Sequence, residues 1–285
     1  MTQVGIVVDS SSCFPKDLAK EYGIIIAPNW VIFDKLGYRD QVDISTAEFW
    51  KMFESAKTPI TTSVVSPGDF ADIFRKLAKS TDSIACITLS QKLSGTMNSA
   101  VQAKALVSDE LPNLKIEIID SKSSIGGLSY TALEAARTAR AGGDLKAVAN
   151  RAGEIIPRTK YLLVLETAKF IMRIGRAPDE ANKLAEQANF NPIMGVVRDT
   201  GMVDMLGKEA TLAEARRKAV DLMASYADTS KPWHVMLHYS RDKNEIKELE
   251  KQIRAKYNCA ELYTSEFSPV VVAALGPSVG IAFYS

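Results

Sequence analysis

A chain of 285 residues is long for one compact domain and comfortable for two. Apolar residues make up 46% and charged residues 24%, the balance of a folded soluble protein. With 35 basic and 34 acidic side chains the formal net charge is +1, so no basic excess exists to draw in a phosphate backbone and nucleic acid is excluded as an expected partner.

The first half alternates strands and helices. Val4 to Val8 reads as a buried strand ending at Asp9-Ser10-Ser11-Ser12, and a helix follows from about Pro15 to Glu21, stopped by Gly23. Ile24 to Ile26 is a second short strand. Ser45 and Glu48 form a capping box ahead of Phe49, Met52 and Phe53. Ser66-Pro67 opens another helix, whose Phe70, Ile73, Phe74 and Leu77 recur at i, i+3, i+4 and i+7. Ile84 to Leu89 is then a strand. Ser94 caps a helix that turns Met97, Ala100 and Val101 inward. Ile116 to Ile119 leads to Asp120-Ser121, and a helix from about Gly127 to Ala141 ends at Gly142-Gly143. This rhythm predicts a mostly parallel sheet covered on both faces, an α/β domain over residues 1–159.

After a helix ending near Pro157 the character changes. Tyr161 to Leu165 is a strand, and Pro192–Val197 and Met202–Leu206 flank Arg198-Asp199-Thr200-Gly201 as a hairpin-like pair. Helices are expected at about Leu212–Tyr226 and Lys243–Tyr257, with strands at Val235–His238, Ala260–Tyr263, Val270–Ala274 and Ile281–Tyr284. This predicts an α+β domain over residues 160–285 with a more antiparallel sheet. No low-complexity linker marks the boundary, so the two domains are expected to pack tightly. The cluster Arg216, Arg217 and Lys218 reads as the solvated face of a helix.

The three cysteines, Cys13, Cys86 and Cys259, are odd in number and far apart, and build neither a disulfide framework nor a paired zinc spacing. Cys86, inside Ile84-Ala85-Cys86-Ile87, reads as core. Reduced thiols and an N-terminus that runs straight into a strand lead to the expectation of a cytoplasmic protein without a signal peptide. The longest apolar runs are too short to span a bilayer, so no stable membrane insertion is expected.

Several chemistries have no motif here. There is no G-x-x-x-x-G-K-[ST] loop, no G-x-G-x-x-G turn after a strand, no G-x-S-x-G elbow and no H-E-x-x-H. The two histidines, His234 and His238, lie at i and i+4 on one expected strand, roughly 13 Å apart, too far to share a metal. No metal or cofactor is expected. Asp9, just past a buried strand, is the best single carboxylate; its expected role is to accept backbone N–H bonds at the next helix.

Two hydroxyl clusters carry the remaining chemistry. One is Thr61-Thr62-Ser63, and the other runs Ser90-Gln91-Lys92-Leu93-Ser94-Gly95-Thr96. A helix start offers free N–H groups and partial positive charge, and Gly95 lets a ligand approach the backbone. The pattern fits either a simple helix cap at Ser94 or a small anion site.

The same residues resemble the DegV family. Val8-Asp9-Ser10-Ser11-Ser12, Thr62-Ser63 with Ser66-Pro67, and Leu93-Ser94-Gly95-Thr96 match its order and spacing, as do Asp120-Ser121, Gly175-Arg176 and Gly276-Pro277. The likeness runs nearly end to end. It implies a DegV-like two-domain fold with a long-chain fatty acid buried between an N-terminal α/β and a C-terminal α+β domain. It also implies a carboxylate held by Thr62 and Ser94, with Ser63, Gly95 and Thr96 close by. The resemblance further implies a carrier, not itself an enzyme, that presents the acid to a separate ATP-dependent fatty acid kinase whose acyl phosphate enters phospholipid synthesis. Arg173 and Arg176 are the candidate kinase-facing residues. The alternatives are a lipid sensor or storage protein without kinase coupling, and an enzyme acting on a small anion through Asp9 and Ser94.

This chain departs from the family pattern at several positions. It has Ala274-Leu275-Gly276-Pro277 where many members have His-x-Gly-Pro, and Ile174-Gly175-Arg176 where many have Gly-Gly-Arg. Val64-Val65 follows Thr62-Ser63 in place of Gln-Pro, and Lys208-Glu209 stands where an arginine often follows the hairpin. The first and last departures bear on kinase coupling more than on lipid binding. Expected tail contacts are Ile26, Phe33, Phe49, Phe53, Leu163 and Met194, each also explicable as ordinary core.

Overall fold

The computed structural model describes residues 3–176, 190–196 and 200–285. Its first sheet has the order β2-β1-β6-β7 and is parallel throughout, built from β1 (Gly5–Asp9), β2 (Ile25–Ala27), β6 (Ser83–Thr88) and β7 (Lys115–Asp120). The two central strands, β1 and β6, are buried on both faces, as a helix-covered parallel sheet requires, and the edge strands β2 and β7 are only partly buried. Two flanking helices match the expected boundaries: α1 (Lys16–Tyr22), ended by Gly23 at φ 65, and α3 (Pro67–Leu77), opened by a Ser66–Asp69 capping box.

The helix after β6, α4 (Thr96–Val107), differs in detail from the sequence expectation. Gly95, not Ser94, is its cap residue, and Val101 faces solvent. The buried side is carried by small residues, Ser99, Ala100 and Ala103, with Val107.

A three-stranded antiparallel sheet, β4-β3-β5, was not predicted. It consists of β3 (Trp30–Phe33), β4 (Leu36–Arg39) and β5 (Thr61–Ser63). Between its strands runs α2 (Thr46–Ser55), with the expected Ser45–Glu48 capping box.

The later residues form a six-stranded mixed sheet in the order β10-β9-β8-β13-β11-β12. Its members are β8 (Lys160–Leu165), β9 (Asn191–Val196), β10 (Val203–Glu209), β11 (Trp233–Tyr239), β12 (Cys259–Glu266) and β13 (Ser278–Tyr284). Every neighbouring pair is antiparallel except β11 with β12. The expected hairpin is β9–β10; its residues 197–199 lie outside the described residues.

The helix α5 (Ile125–Arg140) packs against β1 and β6 of the first sheet and against β8 and β13 of the mixed sheet. Gly126 makes the close approach possible: a Cβ there would stand 2.5 Å from Ala282 and 2.6 Å from His238. The largest apolar core runs continuously from Val4 and Ile6 through Leu128 and Leu133 to Leu163 and Val272. The fold is therefore the expected one: an α/β unit with a parallel sheet joined to an α+β unit with a mixed sheet. The remaining helices are α6 (Leu145–Ile155), α7 (Lys169–Arg173), α8 (Leu212–Met223), α9 (Lys247–Lys256) and α10 (Pro269–Leu275). No helix among the described residues is long and apolar enough to cross a membrane.

Candidate functional site

In the parallel sheet the chain runs from β1 to β2 on one side and later to β6 on the other. The carboxyl ends of β1 and β6 thus form a topological switch point, where open α/β sheets leave a crevice. Asp9 closes the bottom of that crevice by accepting a hydrogen bond from the Leu89 backbone N–H at 2.9 Å. Above it lies a cavity of about 670 Å³, within the usual range of small-molecule sites.

The cavity wall is mixed in origin and in chemistry. Ile60, Leu89, Leu93 and Ile125 come from the first unit; Leu163, Ile171, Val203, Val270 and Leu275 come from the second. Polar groups join the wall at Thr61, Thr62, Ser63, Ser94, Ser11 and Asn29. Both sequence-identified hydroxyl clusters therefore open onto one space.

The pleat distinguishes Thr62 from Ser63. Residues directly opposite in an antiparallel pair share a face, and successive side chains alternate. Thr62 pairs with Val31, which is fully buried, and Ser63 pairs with Trp30, whose indole reaches outward to Asp69 at 3.4 Å. Thr62 and Ser63 therefore lie on opposite faces of the strand, and both are exposed and line the cavity.

Ser94 and Gly95 line the cavity where α4 begins; Thr96 does not. Thr96 is fully buried behind Ser94, and the two hydroxyl oxygens are 2.9 Å apart. The Thr96 backbone N–H also donates to Ser94 Oγ at 3.3 Å. Thr96 thus holds the Ser94 hydroxyl in place at the cavity wall, and either hydroxyl of the pair can be the donor.

One wall element contradicts the sequence reading. Val270–Ala274 forms not a strand but the middle of α10 (Pro269–Leu275). The β-branched run favours a strand on propensity, but a short apolar run does not separate a buried strand from a buried helix. Pro269 at the first helical turn and Gly276 just past the last one are the signals that decide it. Gly276 sits at φ 66 and ψ −158, a region open almost only to glycine, and a Cβ there would stand 2.2 Å from the Phe170 ring.

The start of α10 is pinned by loops of the first unit. Ser268 N–H donates to Cys13 Sγ at 3.2 Å, Val270 N–H to Asp40 Oδ1 at 3.3 Å, and Thr46 Oγ1 to the Phe267 carbonyl at 3.1 Å. Asp40 belongs to a buried polar junction that the sequence did not reveal. Ser10 Oγ donates to Asp40 Oδ2 at 2.6 Å, and the Asn29 side chain donates to Asp9 Oδ1 and to Ser10 Oγ, both at 3.2 Å.

Asp9 plays the role expected of it. It accepts from the Ser11 backbone at 3.1 Å, from Ser11 Oγ and from Leu89 N–H. Burial raises the Asp9 carboxyl above the usual carboxylate range, with hydrogen bonds from Ser11, Leu89 and Asn29 opposing. Burial likewise pushes Asp40 up to about 7. Ser11, Asn29 and Leu89 are all cavity residues, so Asp9 braces the wall from behind.

The model of the family described as "Uncharacterised protein, DegV family" matches residues 3–285. The chain belongs to the DegV family. A DegV domain-containing protein of Caldanaerobacter subterraneus subsp. tengcongensis is 30% identical over 284 residues, covering 100% of this chain and 99% of that one. Among solved structures, a DegV family protein from Thermus thermophilus, described by its fatty acid binding, superposes with TM-score 0.89 at 24% identity, covering 99% of each chain. A stearic acid-binding protein from Eubacterium ventriosum does so with TM-score 0.89 at 22% identity, covering 99% of this chain and 98% of that one. These likenesses establish the DegV fold.

Ala274, one of the positions named above as a departure, lines the cavity. Both candidate arginines also line it. Arg173 donates through Nη2 to the Ile60 carbonyl at 3.2 Å and the Ala273 carbonyl at 3.1 Å. Arg176 donates through Nε to the Leu93 carbonyl at 3.1 Å and through Nη1 to the Ile174 carbonyl.

Of the six expected tail contacts only Leu163 lines the cavity. Phe49 and Met194 are buried in the core, and Ile26, Phe33 and Phe53 pack against it. Neither histidine reaches the site. His234 Nδ1 lies 2.9 Å from Glu261, and His238 is buried between Tyr161 and Phe267, where burial lowers it to about 3. No group of three or more metal-ligating side chains occurs among the described residues. In the Arg216–Lys218 cluster, Arg217 and Lys218 are exposed and Arg216 is half-buried.

Proposed function

We propose that this DegV protein carries one long-chain fatty acid, its tail in the 670 Å³ cavity and its carboxylate at Thr62 and Ser94. The observation that carries the reading is that both hydroxyl clusters open onto one largely apolar space at the sheet's switch point. Ser63 and Gly95 stand beside the carboxylate, and Thr96 acts through Ser94. In this division residues 1–159 supply the carboxylate site and residues 160–285 close over the tail. The fatty acids named for the Thermus thermophilus and Eubacterium ventriosum proteins support the ligand class.

The energetics suit a carrier. Burying about 15 methylenes contributes up to roughly 12 kcal/mol at ~0.8 kcal/mol each, before the cost of ordering the chain. A hydroxyl bonded to a charged group adds about 1.5–3 kcal/mol. The tail sets affinity and the hydroxyls set orientation. Thr62, Ser63 and Gly95 are exposed at the mouth, which leaves the carboxylate within reach of a second protein.

That second protein is an ATP-dependent fatty acid kinase in this reading, and the acyl phosphate it makes feeds phospholipid synthesis. Arg173 and Arg176, both exposed at the same mouth, are the residues assigned to face it. The carrier supplies no phosphoryl chemistry of its own. Titrating delipidated protein with stearic acid tests the reading: saturation at one equivalent supports it, and absence of binding rejects it. Adding a competent fatty acid kinase and ATP then separates a carrier, which yields acyl phosphate, from a storage protein, which does not.

A further inference from the structure

Arg173 sits at the end of α7, a five-residue helix with too few turns to hold itself in place. What fixes it is a set of contacts reaching across the cavity. The guanidinium donates to the Ile60 carbonyl, just ahead of the strand that carries Thr62, and to the Ala273 carbonyl on α10. It also lies over the Phe170 ring, 5.6 Å from its centroid. Phe170 packs on Phe53 with centroids 5.4 Å apart, and its ring fills the space that a side chain at position 276 would occupy. Ile60, Arg173 and Ala273 all belong to the cavity wall. One side chain therefore ties together the two wall segments contributed by opposite ends of the sequence.

We propose that Arg173 is a latch on the cavity, and that its release from the Ile60 and Ala273 carbonyls limits how fast ligand enters and leaves. The inference rests on the fatty-acid reading and adds a kinetic control to it. Both carbonyls are backbone groups that cannot follow the guanidinium without moving β5 or α10, so the wall parts only when these bonds break. Arg173 is exposed on its outer side, so water is at hand to replace each lost bond.

The test is stopped-flow exchange of a dansyl-labelled long-chain fatty acid against excess stearic acid, with wild type, Arg173→Ala and Arg173→Lys. Removing two hydrogen bonds that exist only in the closed state should speed both uptake and release by roughly tenfold, so that their ratio moves much less than either rate. Arg173→Lys, which keeps the charge but replaces the planar fork by a single ammonium, should fall between the two. Unchanged rates in Arg173→Ala would overturn the latch, and so would faster release at an unchanged uptake rate, which marks a ligand contact. Failure of all three proteins to bind the probe would reject the fatty-acid reading itself. A thermal melt of each variant confirms that the rates come from folded protein.

Discussion

If the tail dominates affinity, shortening the ligand should cost more than deleting the best hydroxyl. Ser94 Oγ stands 2.9 Å from Thr96 Oγ1 and accepts the Thr96 N–H, and when Thr96 Oγ1 accepts nothing from it the Ser94 proton can be given to a carboxylate. Ser94→Ala removes one charge-assisted hydrogen bond, about 1.5–3 kcal/mol, or roughly 10- to 150-fold in Kd. Going from a sixteen-carbon to a ten-carbon acid withdraws six methylenes from the wall formed by Leu163, Ile171, Val203, Val270 and Leu275. At ~0.8 kcal/mol each that is about 5 kcal/mol, on the order of 3,000-fold, an upper value because the free acid also hides some surface. Isothermal titration of delipidated protein with acids of ten to sixteen carbons should give a steep line for wild type and a parallel, displaced line for Ser94→Ala, since head and tail contacts are independent. A flat line for wild type, or a variant that loses the chain-length dependence altogether, would refute the division of roles.

Three further outcomes follow from the packing. Asp40, raised to about 7 by burial, holds its proton more tightly folded than unfolded, so its contribution is complete below about pH 4 and is lost as pH rises through 7. Asp40→Asn cannot ionise and should flatten the fall in urea midpoint between about pH 5 and 8; an identical fall in the variant would place the effect elsewhere. Burial pushes Glu261 up, but hydrogen bonds from His234, Arg137 and Tyr263 more than offset it and leave it at about 2. Its contribution is therefore present above about pH 4 and lost as pH falls towards 2, and Glu261→Gln should flatten that acid limb in circular dichroism melts. Gly276→Ala forces a side chain into a glycine-only backbone region and against Phe170, which should cost at least 1–3 kcal/mol and lower Tm by several degrees; an unshifted Tm would show that α7 and α10 are not rigidly docked.

How much of this was legible in the sequence depended on whether the signal was local. The parallel strands around Val8 and Ile87, the Ser45–Glu48 cap and the stop at Gly23 each carry their cause within a few residues, and each stands where the pattern put it. The hydroxyl cluster at Ser90–Thr96 was legible for the same reason, because it follows β6 and opens α4, whereas Thr61-Thr62-Ser63 stood out by composition alone and forms a strand that the pattern did not show. The apolar run of α10 was not, since burial on all sides erases the periodicity that separates helix from strand. The β4-β3-β5 sheet was missed because its strands are three or four residues long and β5 pairs with β3 across α2. The junction of Asp9, Ser10, Asn29 and Asp40 depends on long-range register, as does the cavity wall: Phe49 and Phe53 carry the right chemistry but pack into the core, and Ala273 and Ala274 carry little chemistry but line the space.

Extraction of the purified protein with organic solvent, followed by mass spectrometry of the extract, bears on all of this at once. The account predicts a long-chain fatty acid recovered at close to one molecule per chain. Protein that comes empty from several expression hosts, and then takes up no added stearic acid, would contradict it.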